Sequence, residues 1–108
     1  LVRHLRQGGI ISILLDEKYS EGVRIPFLGL DALTSLSAAQ LALKYDLPMI
    51  PAFGIRIEDG NAFDVIFEAP IPRTDAVTMT RAFNDSLSSR IMANPEQWYW
   101  LLKRWDNA

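Results

Sequence analysis

Gly9-Ile10-Ile11-Ser12-Ile13-Leu14-Leu15-Asp16-Glu17-Lys18 is the stretch on which the fold reading turns. A nearly unbroken apolar run from Ile10 to Leu15 is bounded by Gly8-Gly9 on one side and by three charged residues on the other. That is the pattern of a strand buried on both faces. Upstream, Leu1, Val2 and Leu5 alternate with Arg3, His4 and Arg6 as on an amphipathic helix that stops at the glycine pair. A helix leading straight into a doubly buried strand is half of a βαβ unit. The expected fold is therefore α/β, a mixed and largely parallel sheet flanked by helices.

Downstream, Val23 to Gly29 predicts a short strand near a sheet edge, because Pro26 cannot donate to a ladder. A helix is expected from Thr34 or Ser35 to about Tyr45, before Pro48. In it Ser37 and Gln40 have capping-box spacing, and Ser37, Gln40 and Lys44 share one narrow polar stripe. Met49 to Ile57 and Ala62 to Phe67 predict a hairpin joined by Glu58-Asp59-Gly60-Asn61. A helix from about Asp75 to Met92 buries Val77, Phe83, Leu87 and Ile91. Asn94, Pro95 and Gln97 then read as the start of a last short helix with Trp98, Leu101, Leu102 and Trp105 along one face.

The 108 residues fit one domain, and the opening at Leu1 within a helix pattern reads residues 1–108 as the carboxy-terminal portion of a larger one. A formal charge of −2, with acids and bases mixed along the chain, gives no basic face for nucleic acid. Absence of cysteine excludes disulfides and thiolate metal sites and agrees with a reducing compartment. No apolar run approaches the roughly 20 residues of a membrane-spanning helix. Peripheral membrane contact stays open.

Chemistry-bearing motifs are sparse. His4, the one histidine, lies on the charged side of its helix and reads as a solvated residue. No carboxylate cluster has metal-ligand spacing, and Gly8-Gly9 precedes a strand where a phosphate loop would follow one. Neither a metal nor a cofactor is expected. Asp16 is placed for function, since ligands gather at the carboxyl ends of strands in open α/β sheets. Two readings of it stand equally: a carboxylate orienting a base or a substrate hydroxyl, or a cap on the following turn. The aromatic end offers a similar choice. Trp98, Leu101, Leu102 and Trp105 fit core packing, which leaves Trp100, Lys103 and Arg104 for a surface at a membrane interface.

Three stretches together resemble the late acyltransferases of bacterial lipid A biosynthesis, the lauroyl/myristoyl transferases related to lysophospholipid acyltransferases. The first is Gly9 to Glu17, similar to the family's Gly, apolar strand, Asp-Gln segment, with Glu17 in place of the usual Gln. The second runs Gly22-Val23-Arg24-Ile25-Pro26-Phe27-Leu28-Gly29, then Ala32, Thr34 and Ala39-Gln40-Leu41-Ala42, to Pro48-Met49-Ile50-Pro51. Leu28 stands where a second Phe is common. The third and most specific is Asn94-Pro95-Glu96-Gln97-Trp98-Tyr99-Trp100-Leu101-Leu102-Lys103-Arg104-Trp105.

The resemblance implies the carboxy-terminal part of a glycerolipid-acyltransferase-like fold and an enzyme that moves a fatty acyl chain from acyl carrier protein to a lipid A precursor. It implies work at the cytoplasmic face of the inner membrane, without a cofactor. The family's catalytic His has an acidic residue five positions later; five positions after His4 is Gly9, so that pair is expected outside this chain. Asp16 then supports the acceptor or the catalytic pair. Glu17, Phe27 and Gly29 shape the substrate cleft, and Lys103 and Arg104 attract phosphates. Two other readings stand beside this one: an acyltransferase for another glycolipid or lysophospholipid, and a non-catalytic membrane-surface module.

Overall fold

A computed structural model describes residues 2–57, 61–101 and 103–105. Helix α1 (Val2–Arg6) ends where the sequence places its stop. Gly8 takes φ +82°, its N–H bonds the Leu5 carbonyl at 3.1 Å, and the Gly9 N–H reaches back to His4 at 2.9 Å. This paired 5→2 and 6→1 closure needs a left-handed residue, for which glycine carries no Cβ penalty.

The chain then departs from expectation. Residues 10–15 join no ladder or helix among the described residues, and Ile10 and Leu14 are 90% and 80% exposed while Leu15 alone of the run is buried. The largely parallel sheet is not formed. In its place stand two separate antiparallel two-strand sheets, β1 (Val23–Phe27) with β2 (Leu30–Thr34) and β3 (Ala52–Arg56) with β4 (Phe63–Phe67). The physical reason is that each hairpin satisfies its backbone groups locally, through a short connection, and needs no crossover partner.

The turn between β1 and β2 is Leu28-Gly29, with φ +52° and +86°. Positive φ at both central residues is the type I′ pattern, whose twist matches that of the flanking strands. Leucine at the first of these positions gives no turn signal, so the sequence predicts a single strand to Gly29 and a helix from Thr34 or Ser35. Thr34 instead ends β2, and α2 covers Ser37–Lys44. The Ser37/Gln40 box is not formed: Leu36 is the N-cap and makes no side-chain bond, while Ser35 Oγ accepts the Ser37 N–H at 3.2 Å just before it. The polar stripe is as expected, with Ser37, Gln40 and Lys44 exposed and Ala39 and Ala42 buried.

The second hairpin follows the sequence closely, Ala52 opposing Phe67 and Arg56 opposing Phe63. Its arms continue as single backbone bonds from Glu68 N–H to Pro51 and from Ile71 N–H to Met49, both 2.9 Å. Of its expected turn, residues 58–60 lie outside the described residues.

Helix α3 (Ala76–Ala93) joins the two hairpins. Asp75 caps it, its carboxylate accepting the Thr78 N–H at 2.8 Å. One stretch of α3 holds β1: Asn84 Nδ2 donates to the Pro26 carbonyl at 3.4 Å, and Ser88 Oγ accepts the Leu28 N–H at 3.2 Å. Another holds β3, where Phe83 stacks on Phe53 at 6.1 Å between centroids and Arg90 lies over the same ring. Leu87 and Ile91 enter the core with Phe27, Ala32 and Phe53. Val77 is exposed, because the buried face runs through Met79, Thr80 and Asn84 instead.

The last element is a single 3₁₀ turn, α4 (Pro95–Gln97), not a helix reaching Trp105. Gln97 does not close a capping box. Its amide binds the backbone of Arg56 on both sides, accepting the N–H at 2.7 Å and donating to the carbonyl at 3.0 Å. Those two bonds fix the end of β3, and among the described residues beyond Trp98 there is no helix.

Candidate functional site

A groove of about 780 Å³ lies between the Ile10–Leu15 segment and the core elements β3, α2 and α3. Apolar side chains dominate it, among them Ile11, Ile13, Leu41, Ile50 and Phe67. Such a volume is within the roughly 300–1,000 Å³ typical of small-ligand sites. The Ile10–Leu15 segment forms one wall, so the run expected to bury both faces in a sheet gives one side to the groove and the other to solvent. Asp16, half-buried, carries a carboxylate at the point where this wall ends. Arg90 also lines the groove, but its guanidinium is engaged with Glu68 at 2.7 Å.

A second arrangement packs Trp98, Arg104 and Trp105 against the first hairpin. Phe27, 1% exposed, is its centre. Trp105 stacks on the Phe27 ring with centroids 5.4 Å apart and donates its indole N–H to the Phe27 carbonyl at 3.0 Å. Trp98 meets the ring edge-on at 5.7 Å. Arg104 closes the stack, its guanidinium 5.2 Å from the ring centroid.

Arg104 is 1% exposed, so the expected surface cation is an interior one. Nη1 donates to the Leu33 carbonyl and Nη2 to Thr34 Oγ1, each at 2.9 Å. Thr34 passes its own proton to the Ala32 carbonyl at 2.9 Å, and so is used as acceptor and donor. Burial pulls the Arg104 guanidinium below its ordinary value, and the charge of Asp16 offsets part of that. Nε is buried without a hydrogen-bond partner.

The expected site residues therefore divide. Asp16 lines the groove. Glu17 is exposed and Lys103 is exposed, neither lining it. Phe27 is covered by two tryptophans and belongs to the core, so it shapes no cleft wall. Gly29 lies at the exposed tip of the β1–β2 turn, away from the groove lining. Trp98 and Trp105 pack inward as expected, whereas Leu101 is 80% exposed and Leu102 lies outside the described residues. Sequence reasoning missed Leu33 and Thr34 as anchors for Arg104. The available signal was Arg104 itself, set beside a core-bound Trp105 where an interior cation needs fixed acceptors.

The model of the bacterial lipid A biosynthesis acyltransferase family matches residues 1–107. The chain belongs to that family. No curated protein matches it. The third motif of this lipid A acyltransferase family chain serves as a clasp: Gln97 on β3, Trp98 and Trp105 on Phe27, and Arg104 on β2. Among its described residues no helix is long and apolar enough to cross a membrane.

Proposed function

We propose that residues 1–108 form the acyl-chain side of the transfer cleft in an enzyme that moves a fatty acyl group from acyl carrier protein to a lipid A precursor. The observation that carries this reading is the apolar groove ending at a single half-buried carboxylate, Asp16. An acyl chain is uniform hydrocarbon, and each methylene withdrawn from water contributes about 0.8 kcal/mol. A wall of Ile, Leu and Phe side chains suits it.

In this reading a His and its acidic partner, supplied from outside residues 1–108, take the proton of the acceptor hydroxyl. The hydroxyl oxygen forms a bond to the thioester carbonyl carbon, the C–S bond breaks, and the carrier thiolate leaves and is protonated. Asp16 orients the acceptor hydroxyl or the catalytic pair where the groove ends. Lys103, exposed beside the clasp, is free to meet phosphate of the acceptor or of the cytoplasmic face of the inner membrane, at about 1 kcal/mol per cation.

Comparing lipid A from cells with and without the full-length gene tests the acceptor directly. Loss of one acyl chain from lipid A is the expected result. Unchanged lipid A together with an altered glycolipid or lysophospholipid would move the activity to that acceptor. Unchanged lipids throughout, with no His and acid five residues apart encoded upstream of Leu1, would leave a membrane-surface module.

A further inference from the structure

The groove wall and the clasp meet at one atom. The Leu33 carbonyl accepts the Tyr19 N–H at 3.2 Å and Arg104 Nη1 at 2.9 Å. Tyr19 follows Asp16 by three residues and opens a turn in which the Gly22 N–H returns to its carbonyl at 2.8 Å, so the loop after the groove wall is tied to β2 at this point. Arg104 holds the same carbonyl from the other side, while Thr34, Phe27 and Trp105 fix its own place. The guanidinium itself does not line the groove.

A cation this deeply buried is costly unless its charge is used. Two neutral oxygens and one aromatic face receive it, and Nε is left without a hydrogen-bond partner. A hydrocarbon side chain of the same length would pack there but would leave the Leu33 carbonyl and Thr34 Oγ1 without this donor. Asp16, at the groove end, is the charged group whose field favours the guanidinium.

We propose that Arg104 is a positioning residue for acyl transfer, holding in place the loop that follows Asp16 through the Leu33 carbonyl it shares with Tyr19. It touches no substrate and acts through Asp16. The inference rests on the reading of Asp16 given above, and its test separates the two.

The experiment is a double-mutant cycle in the full-length protein, with Asp16→Asn, Arg104→Gln, Arg104→Lys and the pair Asp16→Asn/Arg104→Gln. Acyl transfer from acyl carrier protein thioester is measured, and folding is followed by circular dichroism and thermal melting. Arg104→Gln keeps an amide donor for β2 and removes the charge; Arg104→Lys keeps the charge and loses the two-pronged anchor. A misplacement near 1 Å costs up to about 100-fold. The expected result is a kcat about 10- to 100-fold lower for Arg104→Gln with KM unchanged, partial recovery in Arg104→Lys, and no further loss when Arg104→Gln is added to Asp16→Asn.

If Asp16→Asn transfers acyl groups at the wild-type rate, the reading of Asp16 fails. If Asp16→Asn is crippled while folded Arg104→Gln keeps its kcat, or if the two losses multiply, the positioning role of Arg104 is overturned. Failure of both Arg104 variants to fold would equally overturn it, leaving Arg104 as part of the core.

Discussion

Gly54 is where the groove can be narrowed without disturbing the fold. It lies in β3, lines the groove, and a Cβ built on it meets no atom within 4 Å. Gly54→Val places three carbons in that space, on a strand where a β-branched residue is favoured over glycine. If those carbons displace an acyl chain by the length of three methylenes, the lost transfer energy is about 2.4 kcal/mol at 0.8 kcal/mol each. That corresponds to about 60-fold in kcat/KM for chains long enough to reach Gly54. Shorter chains, ending before it, keep their rate. The assay is competition between acyl carrier protein thioesters of increasing chain length, read as the ratio of products from one reaction. A shift of preference toward shorter chains, with an unchanged or raised melting temperature, is expected. An equal loss for every chain length, or no loss for any, would refute the assignment of this groove to the acyl chain.

Two further outcomes concern stability. Phe27→Ala empties the space under Trp98 and Trp105 and removes the face on which Arg104 rests, so it is expected to cost about 3–5 kcal/mol in chemical denaturation. A cost under about 1 kcal/mol would mean that the clasp does not depend on this ring. Acid sensitivity follows from Glu68, held below its ordinary value of 4.5 first by the Ser86 hydroxyl and then by Arg90, against the opposing effect of burial. A carboxylate lowered in the folded state stabilises fully above its unfolded value and loses that contribution as pH falls through the folded one. Melting temperature should therefore drop below about pH 4.5, and Glu68→Gln should flatten that slope while lowering stability near neutrality. An unchanged acid slope in Glu68→Gln would remove Glu68 from the account.

What the sequence made legible is local. The second hairpin, the start of α3 near Asp75, the glycine stop after α1 and the polar stripe of α2 each depend on residues within a few positions of one another, and each is found where its pattern lies. The failures are the features settled by distant partners. Gln97 has the spacing to cap its own turn, but the free backbone of Arg56, 41 residues away, takes the amide instead. Arg104 looks solvated in a sequence of alternating aromatic and basic residues, yet β2 offers it two oxygens inside the core. The hairpin at Leu28-Gly29 was hidden because leucine rarely adopts positive φ; the surrounding bonds to Ser88 and the packed Phe27 hold it there.

Ile10 to Leu15 shows why an apolar run does not by itself specify a sheet. Burial on both faces is a statement about what surrounds a segment, and backbone pairing is only one of the arrangements that provide it. Here one face of the run borders a groove wide enough for hydrocarbon, so the same side chains that would bury against a helix are free to bury against a ligand. The position of Asp16 carries over from one arrangement to the other, because in both it is the first charged residue after the apolar wall ends. Its candidacy as a site residue therefore does not depend on the parallel sheet from which it was first argued. It depends on the groove, and on the anchorage that Leu33 gives to the loop that follows it.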